Sequence, residues 1–178
     1  MPCADSVSIG KAVELMKTAR RPVILVGGGA LRAHAGEAIT ALAEKWGAAI
    51  ITTLAGKGAV AETHEQYCFH TGSKGTPVGL KISREADVVL ALGTRFADET
   101  TCSYRKGAAF NFPDTKLIHI DADASEIGKN YAADVGIIAD IRDAIAQILK
   151  ASPQFDINEA YLEEMRGLRR EWFAYLAD

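Results

Sequence analysis

The chain has 178 residues, 48% of them hydrophobic and 24% charged, with a formal net charge of -3. That length suits one domain with a real core and an appendage, and the interleaved charges exclude a nucleic-acid face or an anionic-membrane patch, both of which need clustered Lys and Arg. Cys3, Cys68 and Cys102 show no C-x-x-C spacing, no apolar run approaches the roughly 20 residues that span a bilayer, and no signal-peptide layout is present, so a reducing, cytoplasmic setting is expected.

Ile9, Ala12, Val13, Met16 and Ala19 fall on one helical stripe that Pro22 breaks. The apolar run 23–26 then reads as a buried strand, followed at once by Gly27, Gly28 and Gly29. A second stripe, Ile39, Leu42, Ala43 and Trp46, ends at Gly47 as a C-terminal cap, and residues 48–53 read as the next strand, completing a βαβ unit. Residues 54–76 keep neither period and predict loops, with a short strand near 67–70. Pro77 opens a helix with Val78 and Ile82 inward, and 87–92 is the clearest buried strand. Strands follow at 116–120 and 134–139 with a short helix at 124–129 between them, then a stripe of Ile141, Ala144, Ile145, Ile148 and Leu149. Beyond Ser152-Pro153, Asp156 is read as the cap of a last helix carrying Tyr161, Met165, Leu168, Trp172 and Leu176 on one side.

This alternation predicts an α/β fold, a doubly wound, mostly parallel sheet of five or six strands with helices on both faces, Rossmann-like in kind. It is assigned to residues 1–151, and 152–178 to a linker helix leading toward a further domain. Ligands of such sheets lie at the carboxyl ends of the strands. Those ends carry Gly27-Gly28-Gly29, Thr53-Leu54, Gly93 with Arg95, Asp121 and Asp140. Glycines admit a phosphate to the backbone, an arginine neutralises it, and a strand-end aspartate accepts hydrogen bonds from ribose hydroxyls. Each also has a purely structural reading: the glycines as a tight turn, Arg95 as a surface ion pair with Asp98, and Asp121 as a helix cap. The glycine spacing is not the G-x-G-x-x-G fingerprint, so it selects neither reading by itself.

The segments "RPVILVGGGA", "ITTLAGKGAV", "ADVVLALGTRFADE" and "KLIHIDADASEIGKN" resemble, in order over about residues 8–150, the central domain of thiamine-diphosphate-dependent enzymes of the acetolactate synthase type. The resemblance implies a middle domain that holds FAD in the synthases, ADP in some relatives and nothing in others, the flavin being largely structural. Gly27, Gly28, Gly29, Thr53, Leu54, Gly72, Gly75, Gly93, Arg95, Asp121 and Asp140 match positions that line the family's FAD groove. The family pattern "GMHG" is replaced by Gly72-Ser73-Lys74-Gly75, and "RFDDR" by Arg95-Phe96-Ala97-Asp98-Glu99. A ring and a positive charge are lost and Glu99 is gained, while Lys74 restores one positive charge, so ADP is expected to bind at least as well as FAD.

The resemblance places catalysis in other domains, on an activating Glu and a GDG…N motif that holds diphosphate through magnesium; neither stands in this sequence. Thiamine diphosphate and magnesium are therefore expected only in a full-length parent, a homodimer or homotetramer. His34, His64, His70 and His119 are scattered and Cys68 and Cys102 lack an obvious partner base, so no catalytic or metal-ligating residue is assigned. A nucleotide-free scaffold stays open, as do, less favoured, a sirtuin-like domain and an electron-transfer flavoprotein domain.

Overall fold

The computed structural model describes residues 2–178. Six strands, β1 (Pro22–Val26), β2 (Ala49–Thr52), β3 (Tyr67–His70), β4 (Val88–Leu92), β5 (Lys116–Asp121) and β6 (Val135–Ile138), form one sheet in the order β3-β2-β1-β4-β5-β6. Every neighbouring pair is parallel. Parallel strands need crossovers, and the crossover helices cover both faces, which is why β1, β2 and β4 are buried along their whole length. At the margin, β6 alternates instead, with Gly136 and Ile138 facing outward.

Helices α1 (Ser6–Met16), α2 (Gly28–Arg32), α3 (Gly36–Trp46), α4 (Pro77–Glu85), α5 (Asp98–Thr101), α6 (Ile141–Ala151) and α7 (Glu159–Ala177) complete the fold. Helix α6 packs on α1 and α3, while α4 packs on β2, β3 and α7. The chain moves from β1 to β2 in one direction and from β3 to β4 in the other. Right-handed crossovers therefore put α3 and α4 on opposite faces and leave a crevice between the carboxyl ends of β1 and β4.

Local chemistry sets the boundaries. Asp5 caps α1 by accepting from the Ser8 N–H, Gly47 ends α3 at φ +62°, and Thr76 caps α4 ahead of Pro77. The expected stripe from Ile39 to Trp46 forms α3, and the short α2 precedes it, the two parted where His34 takes φ 51°. Two expectations are corrected. No helix forms over 124–129: Asp121 and Asp123 capture the N–H groups of Asp123 and Ser125, and Gly128 at φ +72° turns the chain left-handed. Asn158, not Asp156, caps α7, accepting from Tyr161 N–H while donating to the Arg20 carbonyl. On α7, Tyr161 and Met165 are buried, whereas Leu176 is exposed.

Candidate functional site

The glycine run is first of all a place where two loops touch. Gly27 donates to the Leu92 carbonyl at 2.8 Å and Gly29 to the Gly93 carbonyl at 2.9 Å. A Cβ on Gly27 would lie 2.2 Å from Gly93 O, and one on Gly29 2.7 Å from Gly93 Cα. Gly93 is held at φ +60°. So two of the three amides are committed to protein carbonyls. Gly28 differs, because a Cβ there would meet the Ala55 side chain and carbonyl at 3.3 Å and the Arg32 guanidinium at 3.5 Å.

Above this contact a cleft crosses the carboxyl ends of the strands in two chambers. The first, of about 430 Å³, brings together Gly28, Gly29, Thr53, Gly93, Arg95 and Asp121. The second, of about 440 Å³, extends over β2 and β3 and takes in Thr53, Leu54, Lys74 and Arg95 with Asp98 and Glu99. Thr53 and Arg95 line both, so the chambers adjoin and Arg95 stands at their junction. The sequence reading missed Arg32, which also faces the first chamber, as do Asp123 and Glu126. Its only available signal was a position four residues after Gly28, one turn along a short helix.

Arg95 is exposed, and the surface ion pair with Asp98 that was its structural alternative does not form. Arg21, Arg166 and Arg170 make ion pairs, and Arg32 and Arg95 are two of the arginines that make none among the described residues; these two are the ones that line the cleft. Asp121 accepts from the Asp123 N–H in an Asx turn, not as the cap of a following helix.

Gly72 and Gly75 shape the loop that presents Lys74. Gly72 has φ +102°, a Cβ there would sit 2.4 Å from Glu99 O, and Ser73 donates to that same carbonyl at 2.7 Å. The Lys74 ammonium lies 3.6 Å from the Glu99 carboxylate, so its charge is opposed within the cleft's own wall. Asp140 stands outside the cleft lining. It caps α6, accepting from the Arg142 and Asp143 N–H groups.

The histidines act locally. His64 faces Glu44 at 3.2 Å, His70 Nε2 bonds the Lys74 carbonyl at 2.8 Å, and His119 Nε2 bonds the Thr94 carbonyl at 2.9 Å. Burial holds His119 below its ordinary range and pushes the Cys68 thiol up to about 12. No group of three or more His, Cys, Asp or Glu side chains is placed to hold a metal among the described residues. Among them, too, no helix is long and apolar enough to cross a membrane.

Residues 9–148 match the family described as thiamine pyrophosphate enzyme, central domain. The chain belongs to that family. Its relatives include acetolactate synthase of Mycobacterium avium, 36% identical over 97% of this chain and 26% of the relative. The probable acetolactate synthase large subunit of Methanocaldococcus jannaschii is 37% identical over 92% of this chain and 27% of its own. That of Corynebacterium glutamicum, an acetolactate synthase large subunit, is 35% identical over 90% and 26%. This central domain thus spans about a quarter of the length of the curated relatives it matches. The match contains β1 through β6 and both chambers of the cleft, whereas α7 lies beyond it.

Proposed function

We propose that this chain is the middle domain of a thiamine-diphosphate-dependent carboligase or decarboxylase of the acetolactate synthase kind, that it holds an adenine nucleotide in its cleft, and that it turns over no substrate alone. The observation that carries the nucleotide reading is Arg95, a cation without an ion pair at the junction of two chambers over the crevice between β1 and β4. Gly28 leaves room for a phosphate, Arg95 and Arg32 neutralise it, and Asp121 takes the ribose hydroxyls. ADP suits the first chamber. FAD is the less favoured occupant, because beyond the shared Arg95 the second chamber adds one ring, His70, and one cation, Lys74, which Glu99 already opposes. A bound adenine nucleotide here supplies no reacting atom and serves to tie the loops after β1, β4 and β5 together.

The GDG…N motif that the family resemblance calls on to hold diphosphate through magnesium does not stand in this sequence, so thiamine diphosphate is assigned to the rest of a longer, oligomeric, cytoplasmic parent. In this reading 1–151 is the nucleotide-binding unit and 152–178 the connector to the next domain. A nucleotide-free scaffold is the second reading, favoured by the commitment of Gly27 and Gly29 to backbone contacts.

Calorimetry with ADP, FAD and NAD on the wild type and on Gly28→Val, Arg95→Ala and Asp121→Asn tests the proposal. Gly28→Val blocks entry, Arg95→Ala weakens binding and flattens its salt dependence, and Asp121→Asn costs about 1–2 kcal/mol with the salt dependence kept. No heat with any nucleotide at millimolar concentration replaces this reading by the scaffold.

A further inference from the structure

The loop that carries Arg95 is fastened far more heavily than a connection between strand and helix requires. Three consecutive carbonyls are held from outside it: Thr94 O by His119 Nε2 at 2.9 Å, Arg95 O by Asn130 Nδ2 at 2.8 Å, and Phe96 O by the same Asn130 nitrogen at 3.3 Å. Both ends of the loop are left-handed, Gly93 at φ +60° and Phe96 at φ 48°. A bulky aromatic residue persists there only when its surroundings over-determine it. Phe96 is buried, with its ring edge-to-face against Phe110, Phe112, His119 and Tyr131. The side chain left free by all this is that of Arg95, whose guanidinium meets no carboxylate among the described residues.

We propose that Asn130 and His119 are positioning residues for anion binding, which hold the Thr94–Phe96 backbone so that Arg95 is presented at the junction of the two chambers; this rests on the nucleotide reading above. Neither side chain lines either chamber, so neither acts by touching a ligand there. Both act on peptide carbonyls, one from β5 and one from the turn that follows it. A free loop would leave Arg95 to search many conformations, and each would have to be given up on binding. Held by three hydrogen bonds and an aromatic packing site, it has surrendered that freedom in the folded protein beforehand.

The test is a double-mutant cycle on the chain of 178 residues, with ADP titrated by calorimetry at low and at moderate salt. Asn130→Ala and His119→Phe should each weaken ADP on the order of five-fold and flatten the salt dependence, as loss of one well-placed hydrogen bond upstream of a charged contact does. In an Arg95→Ala background the same substitutions should change the affinity by less than about two-fold. His119→Gln, whose amide nitrogen can still donate to the Thr94 carbonyl, should restore binding that His119→Phe, which keeps only the ring, does not.

A purely structural role would lower the melting temperature and leave the losses additive with Arg95→Ala, and that result overturns the proposal. So does unchanged ADP affinity in both single variants. A flat titration of the wild type is a different failure: it removes the nucleotide reading, and this inference with it. Should His119→Phe not fold, Asn130→Ala, whose side chain is exposed, completes the cycle alone.

Discussion

Gly27 and Gly10 show how little a residue name says about its cost. A Cβ at position 27 would be driven against the Gly93 carbonyl at 2.2 Å, with Thr94 Cα 2.8 Å away, and neither is a flexible side-chain end. Gly27→Ala is therefore expected to destabilise the fold by about 3 kcal/mol or more. Gly10 lies inside α1 with nothing within 4 Å, and Gly10→Ala should stabilise by about 0.5–1 kcal/mol through the unfolded chain's lost freedom. Urea unfolding of both variants checks the two signs together. Cysteine reactivity separates in the same way: Cys68 is buried with its thiol pushed up to about 12, and Cys3 is exposed. Iodoacetamide in mildly alkaline buffer should label Cys3 and spare Cys68 until the protein is unfolded, as peptide mass mapping would show.

At the scale of elements, α7 is tied down by charge at both of its buried turns. Arg21 reaches Glu164 with two nitrogens, at 2.7 and 3.0 Å, while its guanidinium lies 4.7 Å from the centre of the Tyr161 ring. Arg169 donates to the Tyr67 carbonyl and sits over Phe69 and Phe173. The hydrogen bond from Arg21 holds the Glu164 carboxyl below its ordinary value of 4.5. A depressed carboxylate stabilises the fold fully above the unfolded-state value and loses that contribution as the pH falls through the lower folded-state one. Glu164→Gln should thus cost about 1 kcal/mol at neutral pH, and the difference from wild type should close progressively below 4.5. Chemical denaturation across that range reads it. A cost that stays constant with pH would assign the effect to packing rather than to the ion pair.

For the whole molecule, the strand order decides where a ligand goes. With β1 and β4 adjacent and the chain leaving them in opposite directions, the loops after these strands part and the cleft opens between them. A nucleotide seated there touches loops after β1, β4 and β5, so it binds the native state and not the unfolded chain. ADP at about a hundred times its Kd should add about 2.7 kcal/mol of stability, seen as a higher melting temperature. Thiamine diphosphate with magnesium should add nothing beyond magnesium alone, since the activating Glu and the GDG…N motif that the family resemblance calls for do not stand in this sequence. A rise of several degrees with that pair would place a diphosphate site in this chain after all.

The sheet was legible because its strands are short, continuously apolar runs between turn residues, and burial on both faces demands that composition whatever the neighbours are. Helices α1, α3, α4 and α6 were legible for the same reason, each carrying a stripe and a cap that act within a few residues of chain. Of the cleft lining, Gly28, Arg95 and Asp121 could be named because strand ends can be counted along the sequence. What tertiary structure decided depends on groups that are far apart in the chain. The Gly27 and Gly93 backbones meet across 66 positions, Asn130 reaches Arg95 across 35, and Glu99 opposes Lys74 only because α5 packs beside the loop after β3. Asp140 went the other way: its side chain is claimed by the N–H groups of α6, a local bond that keeps it out of the cleft lining. A residue's identity bounds which contacts it can make, and the three-dimensional neighbourhood determines which of them is satisfied first.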